Sequence, residues 1–260
     1  SSFIPKSMAR FITIISGKGG VGKSTSAINL SASLNMLGKT TTIVDANLTT
    51  PNIGIYLGMP VLPNTIHNVL AGEIPIALAT YIHKSGVKLI PGSLSLESLS
   101  KEKPSQLKHK LQDLSSQNDF VIIDAAAGLG REALASIEAA DEILLITNDE
   151  LPAIADALKT SRICQELKKE IIGVVVNRRK DNGVRIKDIE DMLELPVISM
   201  IPEDGNMREA LTQRDALIHT HPSSQASYGY RKLANFLIGN PYYEEAVSVT
   251  DNRTFMQKLL

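Results

Sequence analysis

The chain has 260 residues, a formal net charge of −1 and one cysteine, Cys164. A near-neutral balance gives no global pull toward nucleic acid. A single cysteine argues against a disulfide framework, an iron–sulfur site or a zinc site within one chain, and it suits a cytosolic protein.

No apolar run approaches the length of a membrane span, and the N-terminus lacks the apolar core of a signal peptide. Met8 looks like a natural start, so residues 1–7 read as an added leader. Phe11-Ile12-Thr13-Ile14-Ile15 opens the pattern as a buried strand, predicted over 11–16. A glycine-rich stretch follows, then a predicted helix over 24–37. Further strands are predicted at 40–45, 87–90, 119–124, 141–147, 171–177 and 196–201. Helices are predicted at 65–71, 104–117, 131–139, 151–168, 185–193, 206–213 and 223–238. Most strand candidates are continuous apolar runs, such as Phe120-Val121-Ile122-Ile123. Such runs mark strands covered on both faces, as in a parallel sheet between helix layers. The alternation predicts a doubly wound α/β fold with a mostly parallel sheet over residues 8–240. Residues 241–251 read as a linker and 252–260 as a separate tail. Cys164 falls in a helical pattern and reads as an apolar filler.

The stretch Gly17-Lys18-Gly19-Gly20-Val21-Gly22-Lys23-Ser24-Thr25 fits the phosphate-loop spacing G-x-x-x-x-G-K-[ST] in full, between a strand and a helix. Glycines keep side chains out of a loop whose amides turn inward, and the following helix adds its unpaired N–H groups. Lys23 is expected to reach the β- and γ-phosphates, Ser24 to ligate Mg²⁺, and Thr25 to serve the α-phosphate side. Lys18 is an extra cation outside the common pattern.

Two more strands end in acids, Asp45 and Asp124. A carboxylate at the end of a buried strand needs compensation. Asp124 is expected to accept from a Mg²⁺-bound water, with Asp45 nearby, and Gly128 to offer its amide to a γ-phosphate. The alternative for both acids is a helix cap or turn. The strand 171–177 ends in Asn177-Arg178, and the strand 196–201 runs into Pro202-Glu203-Asp204. An Asn amide donates and accepts at once, which matches the edge of adenine; an ordinary polar turn explains the same residues.

Together these motifs resemble the deviant Walker-A ATPases of the MinD/ParA class, nearest to archaeal MinD-like proteins. The likeness rests on Lys18 to Thr25, Asp45 to Asn52, Asp124 to Gly128, Thr147-Asn148-Asp149-Glu150, Asn177-Arg178 and Ile201 to Asp204. It implies ATP and Mg²⁺ as ligands and a homodimer that forms face to face on ATP. It also implies that Lys18 reaches the partner's α- and γ-phosphates, and that Glu150 and Asp156 lie near the dimer interface. One position departs: the class has Asp-x-Asp after the second strand, and here Asn47 follows Asp45. An Asn orients water but cannot take its proton, so slow hydrolysis and a long-lived ATP dimer are expected, with Asn47→Asp speeding turnover.

MinD-type chains end in a membrane-binding amphipathic helix. At roughly 100° per residue, Phe255, Met256, Leu259 and Leu260 share an arc of about 140° here. Such a short helix binds a lipid surface weakly alone and better in pairs; a tail packed on its own domain is the other reading. The expected role is a positioning switch that recruits a protein cargo at the membrane or a cell pole. The alternative is a ParA-like DNA-partitioning ATPase, favoured by Arg178, Arg179, Lys180, Arg185 and Lys187. Acids interleave with that stretch, so a solvated surface explains it as well. A metal-cluster carrier and a ligase or kinase on the same fold are further alternatives.

Overall fold

The apolar runs become strands of a single sheet. In this computed structural model, which describes residues 8–95 and 103–240, the strands are β1 (Arg10–Ile15), β2 (Thr41–Ala46), β3 (Tyr81–Ile82), β4 (Lys88–Ile90), β5 (Phe120–Ala125), β6 (Glu142–Thr147), β7 (Glu170–Arg179) and β8 (Val197–Pro202). Their order is β3-β4-β2-β5-β1-β6-β7-β8. All pairings are parallel except β3 with β4. The expected leader, linker and tail, with Phe255, Met256, Leu259 and Leu260, lie outside the described residues.

Successive residues of each strand enter opposite layers. Ile12, Ile14, Ile43 and Ile146 join one core with α1 (Lys23–Met36) and α10 (Gln225–Leu237). Their neighbours Phe11, Val44 and Val121 face α3 (Ile66–Leu70) and α4 (Leu107–Leu111). Further along the same face, Ile15, Leu145 and Val176 meet α6 (Leu151–Glu166) and α7 (Ile186–Leu193). The helix α5 (Arg131–Ala139) spans both of these cores, through Ile137 and Ala139. This two-sided burial is why the strands read as unbroken apolar runs. Cys164 sits fully buried in the third core, as its helical context suggested.

The predicted helix over 104–117 is broken. Three-residue turns at Pro104–Gln106 and Gln112–Leu114 flank the short α4. Leu107, Leu111 and Leu114 carry a helical spacing and are buried. Ser115-Ser116-Gln117-Asn118 follows, however, and such residues compete for backbone hydrogen bonds. Asn118 instead donates to Leu114 O and accepts from Thr42 Oγ1. Three short elements had no periodicity to betray them: β3, α2 (Ile53–Tyr56) and α9 (Leu217–Thr220). A further helix, α8 (Asn206–Thr212), follows β8. Because these five strands run parallel, β1, β2, β5, β7 and β8 deliver Ser16, Asp45, Asp124, Asn177 and Pro202 to the same edge.

Candidate functional site

The glycine-rich loop runs from the end of β1 into α1, and its glycines act for different reasons. Gly20 and Gly22 have φ of 80° and 97°, the left-handed region that favours glycine. Gly17 instead lets α6 approach, since a Cβ there would lie 2.2 Å from Asp156 O. Gly19 faces open space beyond Ala127, 3.8 Å from a built Cβ.

The two lysines of the loop part company. Lys23 is buried, and its Nζ donates to Ser16 Oγ at 3.1 Å. Burial holds its pKa below the ordinary lysine value, against the opposing pull of Asp124. Lys18 is exposed and does not line the cavity that its own loop borders. Ser16 Oγ donates to Lys18 O at 2.7 Å, so one hydroxyl ties both residues to the loop's shape.

Asp45 and Asp124 are direct partners in the β2–β5 register, and both are fully buried. Ser24 Oγ donates to Asp124 Oδ2 at 2.5 Å. Burial pushes the Asp124 carboxyl up to about 6, against the Ser24 bond and the Lys23 charge. Burial, then the charge of Asp124, raises Asp45 well above the usual carboxylate range. Asp45 Oδ2 accepts from Asn52 N and Ile53 N at 2.9 Å each, and Oδ1 accepts from Asn47 N at 3.3 Å. Asp45 therefore also acts as the turn-and-cap residue weighed above, holding the start of α2. Asp124 Oδ1 is buried without a hydrogen-bond partner among the described residues. Two stacked carboxyls, one of them with an orphaned oxygen, and a hydroxyl are hard oxygen donors, and this set fits Mg²⁺.

A cavity of about 610 Å³ opens on Gly20, Lys23, Ser24, Asn47, Arg131 and Glu132. Asn47 folds back on its own turn: Nδ2 donates to Thr50 O at 2.6 Å, and Oδ1 accepts from Thr50 Oγ1 at 3.1 Å. Gly128 has φ 77°, and its amide donates to Ser16 O at 3.2 Å, the group expected to serve a γ-phosphate.

A second cavity, of about 650 Å³, gathers Asn177, Arg178, Pro202, Glu203 and Asp204 together with Thr25. The residues proposed for the base thus converge. Asn177, however, is buried and donates from Nδ2 to Val21 O at 2.7 Å, so it is first a strut for the phosphate loop. Arg178 lines both cavities with φ 52°, beside a register shift between β7 and β8. A non-glycine residue in that region persists only where its surroundings hold it; Asn148 Nδ2 donating to Asn177 O at 2.8 Å is one such restraint.

Glu150 is exposed and lies 3.7 Å from Lys180, while Asp156 pairs with Lys159 at 3.3 Å and turns its backbone to Gly17. The basic stretch is largely matched. Arg179 Nη1 donates to the buried Asp149 at 2.8 Å, and Arg185 pairs with Asp188 at 2.7 Å. Among the described residues no group of three or more His, Cys, Asp or Glu is placed to hold a metal. Burial lifts the Cys164 thiol to about 11.

The ParA profile, described as the NUBPL iron-transfer P-loop NTPase, matches residues 7–238. The chain belongs to the ParA family of P-loop NTPases. An uncharacterised ATP-binding protein of Methanocaldococcus jannaschii is 36% identical over 255 residues, covering 97% of this chain and 96% of that protein. Among solved structures, the cell division ATPase MinD of Pyrococcus furiosus superposes with a TM-score of 0.86 at 33% identity. That match covers 89% of this chain and 99% of the other. MinD of Pyrococcus horikoshii, solved with Mg-ADP, gives a TM-score of 0.85 at 31% identity over 88% and 96% of the two chains. The loop, the buried acids and the two cavities are therefore the candidate nucleotide site on a ParA-family fold. Ser16, Thr49, Arg131 and Glu132 also belong to its walls or supports. Sequence reasoning passed over them. Ser16 adjoins the loop motif and Thr49 lies inside the stretch Asp45 to Asn52, but Arg131 and Glu132 sit in an ordinary polar stretch that carries no spacing signal.

Proposed function

We propose that this chain is an ATP-driven switch of MinD type, a slow ATPase that pairs with a second copy on ATP and recruits a protein partner at a membrane surface or cell pole. The observation that carries this reading is the split between the two loop lysines. Lys23 is buried in its own site, whereas Lys18 is exposed outside it.

The roles follow from the chemistry. Amides of Gly19 to Thr25 and the N-terminus of α1 bind the α- and β-phosphates of ATP. Lys23 neutralises the β- and γ-phosphates. Ser24, with Asp124 and Asp45 through water, holds Mg²⁺; the ion supplies charge stabilisation on the phosphoryl oxygens. Its charge also relieves the repulsion between the paired acids. Asn177, Arg178, Pro202, Glu203 and Asp204 wall the base cavity, and the Mg-ADP of the P. horikoshii relative supports this class of ligand. Asn47 orients the attacking water only once nucleotide binding releases its amide from Thr50. Lys18 acts in the partner's site, where a cation in a water-poor interface stabilises the charge that builds on the transferring group. Glu150 and Asp156 border that interface. No helix among the described residues is long and apolar enough to cross a membrane. Surface contact is assigned to residues 252–260, through the apolar arc of Phe255, Met256, Leu259 and Leu260.

Light scattering after size exclusion, in Mg-ADP and in Mg-ATP, tests the switch. The expected result is an ATP-dependent dimer that Lys18→Ala abolishes. A monomer in both nucleotides overturns it. Liposome sedimentation with and without residues 252–260 tests the surface contact; equal pelleting in ATP rejects it.

A further inference from the structure

The loop after β2 and the start of α5 border the phosphate cavity, and they are tied to each other there. Thr49 donates its backbone N–H to Glu132 Oε2 at 3.2 Å and its hydroxyl to Glu132 Oε1 at 2.5 Å. Both residues line the cavity with Lys23 and Ser24. Among the described lining residues, Glu132 is the one carboxylate. The two other acids of the site are fully buried. Asp45 is engaged by three backbone amides and Asp124 by Ser24. Asn47 takes no proton, and its amide is closed on Thr50.

A water attacking a phosphoryl group must lose a proton. The wall of this cavity offers one carboxylate, and beside it a hydroxyl whose own hydrogen is already directed at that carboxylate. A hydroxyl so committed presents its lone pairs to the next donor. We infer that Thr49 and Glu132 form the proton-accepting pair for ATP hydrolysis in this chain, in place of the carboxylate that Asn47 lacks. The inference rests on the ATPase reading above.

The water donates to Thr49 Oγ1. As its oxygen bonds to the γ-phosphorus, its proton passes to Thr49 Oγ1 and the Thr49 hydroxyl proton passes to Glu132. The bond between the γ-phosphorus and the bridging oxygen breaks, and its electron pair leaves with ADP. The products are ADP, phosphate and a proton on Glu132, which is half-exposed and returns it to solvent. Glu132 acts through Thr49, so it is a positioning and proton-accepting residue. Lys23, Arg131 and Arg178 line the same cavity and offset its charge against the phosphates.

Single-turnover hydrolysis, Mg-ATP affinity and ATP-dependent dimer formation are measured for Glu132→Gln, Thr49→Val, Thr49→Ser, Asn47→Asp and the double variant Glu132→Gln with Asn47→Asp. A Gln at 132 keeps an acceptor oxygen for Thr49 but takes no proton. The expected result for Glu132→Gln is a hydrolysis rate roughly tenfold to a hundredfold lower, with affinity and dimer formation unchanged. Thr49→Val loses the rate likewise, and Thr49→Ser retains most of it. Asn47→Asp, by returning a carboxylate, restores the rate in the Glu132→Gln background. A wild-type rate in Glu132→Gln overturns the inference alone. So does a loss that Asn47→Asp does not rescue, because a mere latch on the loop predicts that pattern. A wild-type chain that binds ATP without hydrolysing it overturns the ATPase reading and the inference together.

Discussion

Asn177 reaches from the end of β7 to the phosphate loop, donating from Nδ2 to Val21 O at 2.7 Å, and its amide nitrogen lies 2.2 Å from where a Cβ on Gly22 would sit. The strut and the glycine require each other. Gly22 is free of a side chain both for its left-handed φ and for this contact. Gly22→Ala is expected to weaken Mg-ATP binding at least tenfold. Strain from φ alone is about 1–2 kcal/mol, and the displaced Asn177 adds to it. Asn177→Ala, which removes one buried hydrogen bond, is expected to cost about 1–2 kcal/mol of binding, or roughly tenfold. Calorimetric titration checks both.

The Asp124 carboxyl, raised to about 6 by burial, gives the nucleotide-free protein a pH signature. In the window between the ordinary value of 3.8 and about 6, the folded state binds the proton more tightly than the unfolded state. Stability contributed by this group is therefore full below the window and is lost as pH rises through it. Denaturant unfolding from pH 4 to pH 7, compared between wild type and Asp124→Asn, is expected to show a difference that grows by a few kcal/mol across the window. Mg²⁺ with ADP is expected to shrink that difference in wild type, since the ion compensates the ionised acid. A difference that stays flat with pH counts against this account.

Two arginines of the basic stretch are expected to behave oppositely. Arg179 pairs with Asp149, whose side chain is 2% exposed and which also accepts from Lys180 N at 2.8 Å. Arg179→Ala leaves a buried carboxylate short of its counter-ion, at a cost of about 3 kcal/mol in unfolding free energy. Arg185 pairs with Asp188 in solvent, so Arg185→Ala is expected to leave the unfolding midpoint unchanged. The buried pairing withholds Arg179 from a phosphate backbone, whereas the solvent pair of Arg185 is weak enough to be exchanged for one. Salt-dependent retention on DNA that Arg185→Ala abolishes would turn the reading toward DNA partitioning.

Cys164 is buried and its thiol is raised to about 11, so the nucleophilic thiolate is scarce. A thiol-reactive dye is expected to label the native protein far more slowly than the denatured one, with ATP leaving the native rate unchanged. Fast native labelling counts against its role as core filler.

The sequence by itself determined the class of the fold and the chemistry of the loop. Buried parallel strands write unbroken apolar runs, and Gly17 to Thr25 states a backbone geometry in the residues that permit it. Both signals are local, so every predicted strand appears, with its ends shifted by a residue or two. What only the tertiary structure decided are contacts between elements far apart in the chain. Asn177 on Val21, Glu132 on Thr49 and Gly17 against Asp156 join residues that no periodicity or spacing links. Their positions follow from the order of strands in the sheet. That order is fixed by how whole faces pack, and a residue carries no mark of the strand that will become its neighbour.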